Sequence, residues 1–99
     1  MISRPYFVYI LANRKNGALY IGVTNSLIRR ISQHKTGEVD GFAKKYKIDK
    51  LVYYEIIFGI KEAIVKEKQI KKWNRAWKIK LIEKNNSAWH DLYDDILNS

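Results

Sequence analysis

Two short apolar runs joined by a polar turn, with a basic amphipathic segment following at once, constrain the fold of this chain more than any other feature. The first run, Tyr6-Phe7-Val8-Tyr9-Ile10-Leu11, is rich in β-formers and apolar on both parities, as a central strand covered on two faces would be. Asn13-Arg14-Lys15-Asn16-Gly17 reads as a turn, and residues 18–23 as the return strand of a hairpin. With residues 13–16 as a four-residue loop, Ala12 pairs with Gly17 and Tyr9 stands directly opposite Tyr20. Directly opposed residues share a sheet face, whereas a one-residue slip would separate them. Gly22 removes a side chain from that face beside Tyr20 and opens space for a ligand or a backbone.

Thr24, Asn25 or Ser26 can cap a helix running to about Lys35, with Gly37 as its stop. Residues 37–50 read as a loop, and 51–58 as a third strand closed by Gly59. Residues 60–84 hold no Gly or Pro and have a helical pattern, with a break expected near Trp73-Asn74. Asn85-Asn86-Ser87 caps a last helix over 88–97, with Trp89, Leu92, Tyr93 and Ile96 on one side. The expected class is α+β: a small three-stranded antiparallel sheet flanked by helices, in the order β-β-α-β-α-α plus a C-terminal helix. The domain spans residues 1–84, and 85–99 form a helical extension packed on it.

Charge narrows the partner. The chain has 19 Lys and Arg against 10 Asp and Glu, and residues 61–84 alone carry nine basic and three acidic side chains. A localised positive field favours a polyanion, because phosphates neutralised by cations release condensed counterions. Absence of cysteine excludes disulfides, thiolate chemistry and Cys-based metal sites, and two histidines exclude a multi-histidine site. The apolar run at 6–12 is strand-like and too short to span a membrane, so a cytoplasmic protein without membrane attachment is expected.

Polar residues where the pattern calls for apolar ones carry the rest. On the first helix Leu27 and Ile31 face inward and His34 continues that stripe at i+7. Arg30 aims along its edge and Arg29 points to solvent. On the long helix Ile60, Ala63, Ile64 and Ile70 form a stripe with Glu67 inside it, and a carboxylate there is either ion-paired or faces a cleft. A salt bridge to Lys71 at i+4 is the plainer alternative for Glu67, as a snorkelling Arg and a satisfied boundary His are for Arg30 and His34.

These residues resemble the GIY-YIG endonuclease pattern. Phe7-Val8-Tyr9 stands at the first motif, with Phe and Val where Gly and Ile are usual, and Tyr20-Ile21-Gly22 is the second motif intact. Arg30 follows ten residues after Tyr20, His34 four further on, and Glu67 on a later helix. The whole is most similar to small stand-alone bacterial members of the superfamily, whose relatives include the nuclease domain of a DNA-repair excinuclease.

The resemblance implies a metal-dependent endonuclease hydrolysing phosphodiesters, with DNA the expected substrate and structure rather than sequence preferred. It implies Tyr9, Tyr20, Arg30, His34 and Glu67 as catalytic residues converging on one side of the sheet, with Asn74 and Gly22 as accessories. Glu67 would hold Mg²⁺ or Mn²⁺, Arg30 would clasp the scissile phosphate, and a phenol whose pKa is lowered by nearby cations would handle the attacking water. Lys44, Lys45, Lys68, Lys71, Lys72 and Arg75 are the expected phosphate-binding cations. The alternative is a nucleic-acid-binding module of the same fold without turnover. A third reading is a structural protein docked on RNA, with Trp73, Trp77 and Tyr54 stacking; their helical spacing favours core packing instead.

Overall fold

A computed structural model describes residues 4–39 and 41–99. The β-rich segments form β1 (Pro5–Ala12), β2 (Leu19–Thr24) and β3 (Lys50–Phe58), and the helical ones α1 (Leu27–Lys35), α2 (Phe42–Lys45), α3 (Ile60–Lys72), α4 (Arg75–Glu83) and α5 (Tyr93–Leu97). The sheet is antiparallel throughout, in the order β2-β1-β3, which makes β1 the central strand that its two-parity apolar pattern requires.

Alternation of β1 splits the core in two. Val8, Ile10 and Ala12 pack with Ala63 and Ile70 of α3 and Ile82 of α4. Tyr9 and Leu11 pack on the other face with Leu27 and Ile31 of α1, Ala43 of α2 and Ile96 of α5. Helices therefore cover both faces, and the sheet has no bare side over its centre. A bulge opposite Ile10 and Leu11 puts one extra residue into β3, so that adjacent Val52 and Tyr53 both side with α3 while Leu51 and Tyr54 side with α1.

The hairpin is longer than expected. Ala12 pairs with Leu19 rather than Gly17, leaving a six-residue connection closed by Asn13 Oδ1 accepting from the Ala18 N–H at 2.9 Å. Tyr9 consequently lies opposite Gly22, and Tyr20 opposite Leu11. The offset from the expected register is two residues, an even number, so the two tyrosines keep a common face.

The long helical stretch does break where the sequence suggests. Trp73 is extended, and Asn74 caps α4 by accepting from the Trp77 N–H at 2.9 Å. The last helix departs more. Only residues 93–97 are helical, because Asn86 spends its amide on the carbonyls of Val52 (3.1 Å) and His90 (2.8 Å), and Trp89 turns with φ +57°. Trp89 thus reaches the α3 side of the core while Leu92, Tyr93 and Ile96 join the α1 side, so the four do not share one helical face. Asp91 fastens this segment: its carboxylate accepts from Lys35 Nζ at 2.6 Å and from the Leu51 and Tyr93 N–H groups at 3.1 Å each.

Candidate active site

Three of the expected side chains are in direct contact. His34 is buried on α1, and its Nε2 hydrogen-bonds the Tyr9 hydroxyl at 3.3 Å. Tyr20 packs edge-on against His34 (5.1 Å between centroids) and stacks on Tyr9 (6.4 Å, 26° between planes). Gly22 explains why this fits. A Cβ there would come within 2.5 Å of the Tyr9 hydroxyl, so the space left by the missing side chain is filled by the Tyr9 ring. Sequence pattern alone makes Gly22 an opening for a ligand; its register partner Tyr9 occupies that opening instead.

The two phenols differ in access. Tyr9 exposes 2% of its surface, whereas Tyr20, on an edge strand, is half-buried. Burial pushes the Tyr9 pKa well above the usual phenol range, the neighbouring Tyr20 and the Glu67 carboxylate push the same way, and the Arg30 charge only partly opposes them. The expectation that nearby cations lower a site phenol is therefore reversed for Tyr9, because desolvation outweighs the single guanidinium. Burial also lowers the His34 pKa, helped by Arg30 and opposed by Asp49, which keeps the imidazole neutral at pH 7.

Arg30 is half-buried and forms no hydrogen bond or ion pair with any described residue, although its charge reaches both Tyr9 and His34. It lines a polar cleft of about 190 Å³ with Thr24, Asn25, Ser26, Arg29 and Gln33. Arg29, expected to face solvent alone, shares this cleft. The sequence pattern marks Thr24 to Ser26 only as helix caps and does not single out Gln33, whose i+3 spacing from Arg30 is the available signal.

Glu67 comes from α3, which packs on the sheet face opposite α1. Its charge nevertheless acts on Tyr9, whose ring lies across Gly22 on the edge strand. The apolar stripe around Glu67 is narrower than expected: Ala63 and Ile70 are buried, but Ile60 and Ile64 are exposed. Glu67 does form the i+4 ion pair with Lys71, at 3.4 Å, with 15% of its side chain exposed against 53% for Lys71.

The remaining expected residues divide. Asn74 is occupied as the α4 cap, and Arg75 donates to the carbonyls of Asn16 (2.7 Å) and Gly17 (2.6 Å), tying α4 to the β1–β2 turn. Both therefore have structural duties that sequence spacing does not reveal. Lys44 lines a hollow beside His34, and Lys45 lies over the Tyr46 ring at 5.4 Å. Lys68 and Lys72 are exposed on α3, which packs on the sheet face opposite α2, the helix that carries Lys44 and Lys45.

The GIY-YIG catalytic domain model matches residues 5–80. The chain belongs to this family. The UPF0213 protein of Clostridium perfringens is 38% identical over 92 residues, covering 93% of this chain and 97% of that protein. That of Staphylococcus haemolyticus is 35% identical over 78 residues, covering 79% and 94%. The solution NMR structure of the UPF0213 protein BH0048 from Bacillus halodurans superposes with a TM-score of 0.54 at 26% identity, covering 88% of this chain and 92% of that one. The GIY-YIG match points to a nuclease, a phosphodiester hydrolase acting on nucleic acid, in a family that generally uses a divalent metal. Among the described residues no helix is long and apolar enough to cross a membrane.

Proposed function

We propose that this GIY-YIG domain is a Mg²⁺-dependent endonuclease that selects DNA by shape rather than by sequence. The observation that carries the reading is the half-buried Arg30, unpartnered among the described residues, beside the Tyr9–His34–Tyr20 cluster, with the Glu67 field reaching the same phenol. A guanidinium held without a protein carboxylate is suited to a phosphate, which it can clasp with two N–H donors and stabilise in the transition state.

The donor set fits magnesium. Among the described residues there is no cluster of three or more His, Cys, Asp or Glu that would form an all-protein cage. Mg²⁺ instead is commonly held by one or two carboxylates together with waters and substrate phosphates. Glu67 offers that single carboxylate, tied down only by a 3.4 Å contact to an exposed lysine. When bound, the ion supplies charge stabilisation for the phosphate and the leaving oxygen.

Tyr20 is the phenol that solvent can reach, so it is the one that orients the attacking water. Tyr9, buried and fixed to His34, sets the position of Tyr20 by stacking on it. Neutral His34 packs against both rings and holds the Tyr9 hydroxyl in place. The exposed cations of this domain offer phosphate contacts and little base readout, so affinity falls steeply with salt and varies little with sequence.

The test is incubation of the purified protein with plasmid and with branched DNA, with Mg²⁺ or with chelator. Metal-dependent cleavage favouring the branched substrate is the expected result. Binding without cleavage under any metal would identify a non-catalytic module of the same fold.

A further inference from the structure

The helical spacing of the tryptophans favours core packing, yet the three have different fates. Trp89 is 5% exposed, and its indole N–H donates to Glu83 Oε2 at 2.7 Å. Trp73 is half-buried and has the Lys66 ammonium 5.8 Å from its ring centre. Trp77 is 55% exposed, and its indole N–H has no partner among the described residues. Other large apolar side chains are as open, Phe42 at 55% and Phe58 at 62%, so what distinguishes Trp77 is its surroundings.

Trp77 packs edge-to-face with Trp73 at 5.9 Å, and the two border a hollow of about 280 Å³ completed by Lys80, Leu81 and Lys84. Lys80 and Lys84 are exposed and have no ion-pair partner among the described residues. Residues 61–84 are the strongly basic part of the chain, and the Arg75 contacts to the β1–β2 turn bring exposed Arg14 and Lys15 to the start of the same helix. An open aromatic plane ringed by ammonium groups has the chemistry that binds unpaired nucleotides. The base stacks on the indole while its phosphates lie against lysines, and this works for any base because every base has a π-face. A docked protein helix would need the apolar hollow but not the free cations on its rim.

We propose that the Trp77 surface, with Trp73, Lys80 and Lys84, is a stacking site for an unpaired base of the nucleic-acid substrate, separate from the tyrosine cluster. This deepens the nuclease reading and rests on it, since it makes the preferred structure one with a single-stranded portion. Trp77 belongs to no contact in the catalytic cluster, so the two sites can be perturbed independently.

The experiment is fluorescence anisotropy of a labelled short oligothymidylate and of a labelled duplex, both in chelator so that no cleavage occurs. Wild type is compared with Trp77→Leu, which keeps the helix and the apolar contact but has no ring, and with Trp77→Tyr, which restores one. The expected result is a roughly tenfold loss of single-strand affinity in Trp77→Leu, recovery in Trp77→Tyr, and duplex affinity within about twofold throughout. Lys80→Gln combined with Lys84→Gln weakens both ligands and reduces the salt dependence. Equal affinity of wild type and Trp77→Leu for the oligothymidylate, or an equal loss for both ligands, would overturn the stacking site while leaving the nuclease reading intact. Absence of binding to either nucleic acid in wild type would overturn both.

Discussion

Two partly covered carboxylates on this molecule differ in what the fold asks of them. Asp91 exposes 30% of its side chain and accepts three hydrogen bonds, from Lys35, Leu51 and Tyr93. Glu67 is the more covered of the two at 15%, yet its one polar contact among the described residues is the 3.4 Å pair with Lys71. Burial would raise the Asp91 pKa, but Lys35 and the two backbone N–H groups overcome it and hold the carboxyl below the usual range. Asp91 is a clamp that joins the C-terminal segment to β3 and α1. Glu67 is a covered charge whose hydrogen-bonding capacity is largely unspent, which is the state expected of a group reserved for a ligand. Degree of burial alone would have ranked them the other way.

The comparison breaks first at Glu67. Glu67→Gln should lower metal-dependent cleavage by about 10²–10³-fold, as loss of a transition-state electrostatic partner does. Stability should stay within about 0.5 kcal/mol, since only an i,i+4 surface-type pair is lost. A thermal melt beside a cleavage assay checks both halves. Arg30→Ala should cost about 10²-fold in turnover. Arg29→Ala, which lines the cleft from a more exposed position, should cost under about tenfold; equal losses would mean general charge rather than a placed contact.

Asp91→Ala should show the opposite profile. It strips a charged acceptor from two backbone donors and a lysine, and should destabilise by about 1.5–3 kcal/mol while leaving cleavage per folded molecule unchanged. Gly22→Ala sharpens the picture from the sheet side. The added methyl has to displace the Tyr9 ring, so stability should fall by about 1–3 kcal/mol and the Tyr9–His34 hydrogen bond should be lost. The expected NMR signature is a shift of the His34 ring protons.

The smallest effect is on pH dependence, and its sign follows from the directions of the two shifts. His34 titrates lower in the fold than unfolded, so between those two values the unfolded chain binds more protons and stability drops as pH falls below about 6.5. Asp91 is also depressed, so its contribution is present above the ordinary carboxylate range and is lost as pH falls through the folded value. His34→Gln should flatten the upper part of a stability profile, and Asp91→Asn the lower part.

The contrast also marks what the sequence could carry. Parity survives a wrong register, because the expected hairpin differs from the observed one by two residues and an even slip keeps Tyr9 and Tyr20 together. The α3–α4 break is legible because Asn74 is a strong cap and Trp73-Asn74 interrupts the periodicity. The C-terminal segment is not, since Asn86 bonds to a strand 34 residues away and Trp89 adopts a left-handed conformation rare for its type. Arg75 is the plainest loss. Charge and spacing make it a phosphate ligand, and only the tertiary fold shows the two carbonyls it serves. Even for Glu67, where the helical wheel points to a covered carboxylate, the stripe that motivates it is half exposed.

The most direct measurement is single-turnover cleavage of branched DNA in Mg²⁺ by wild type, Glu67→Gln and Asp91→Ala, at a temperature where all three are folded. Cleavage by wild type and Asp91→Ala at similar rates, and almost none by Glu67→Gln, is the predicted result. Cleavage by Glu67→Gln at the wild-type rate, or its loss in both variants alike, would contradict the assignment of Glu67 to the metal.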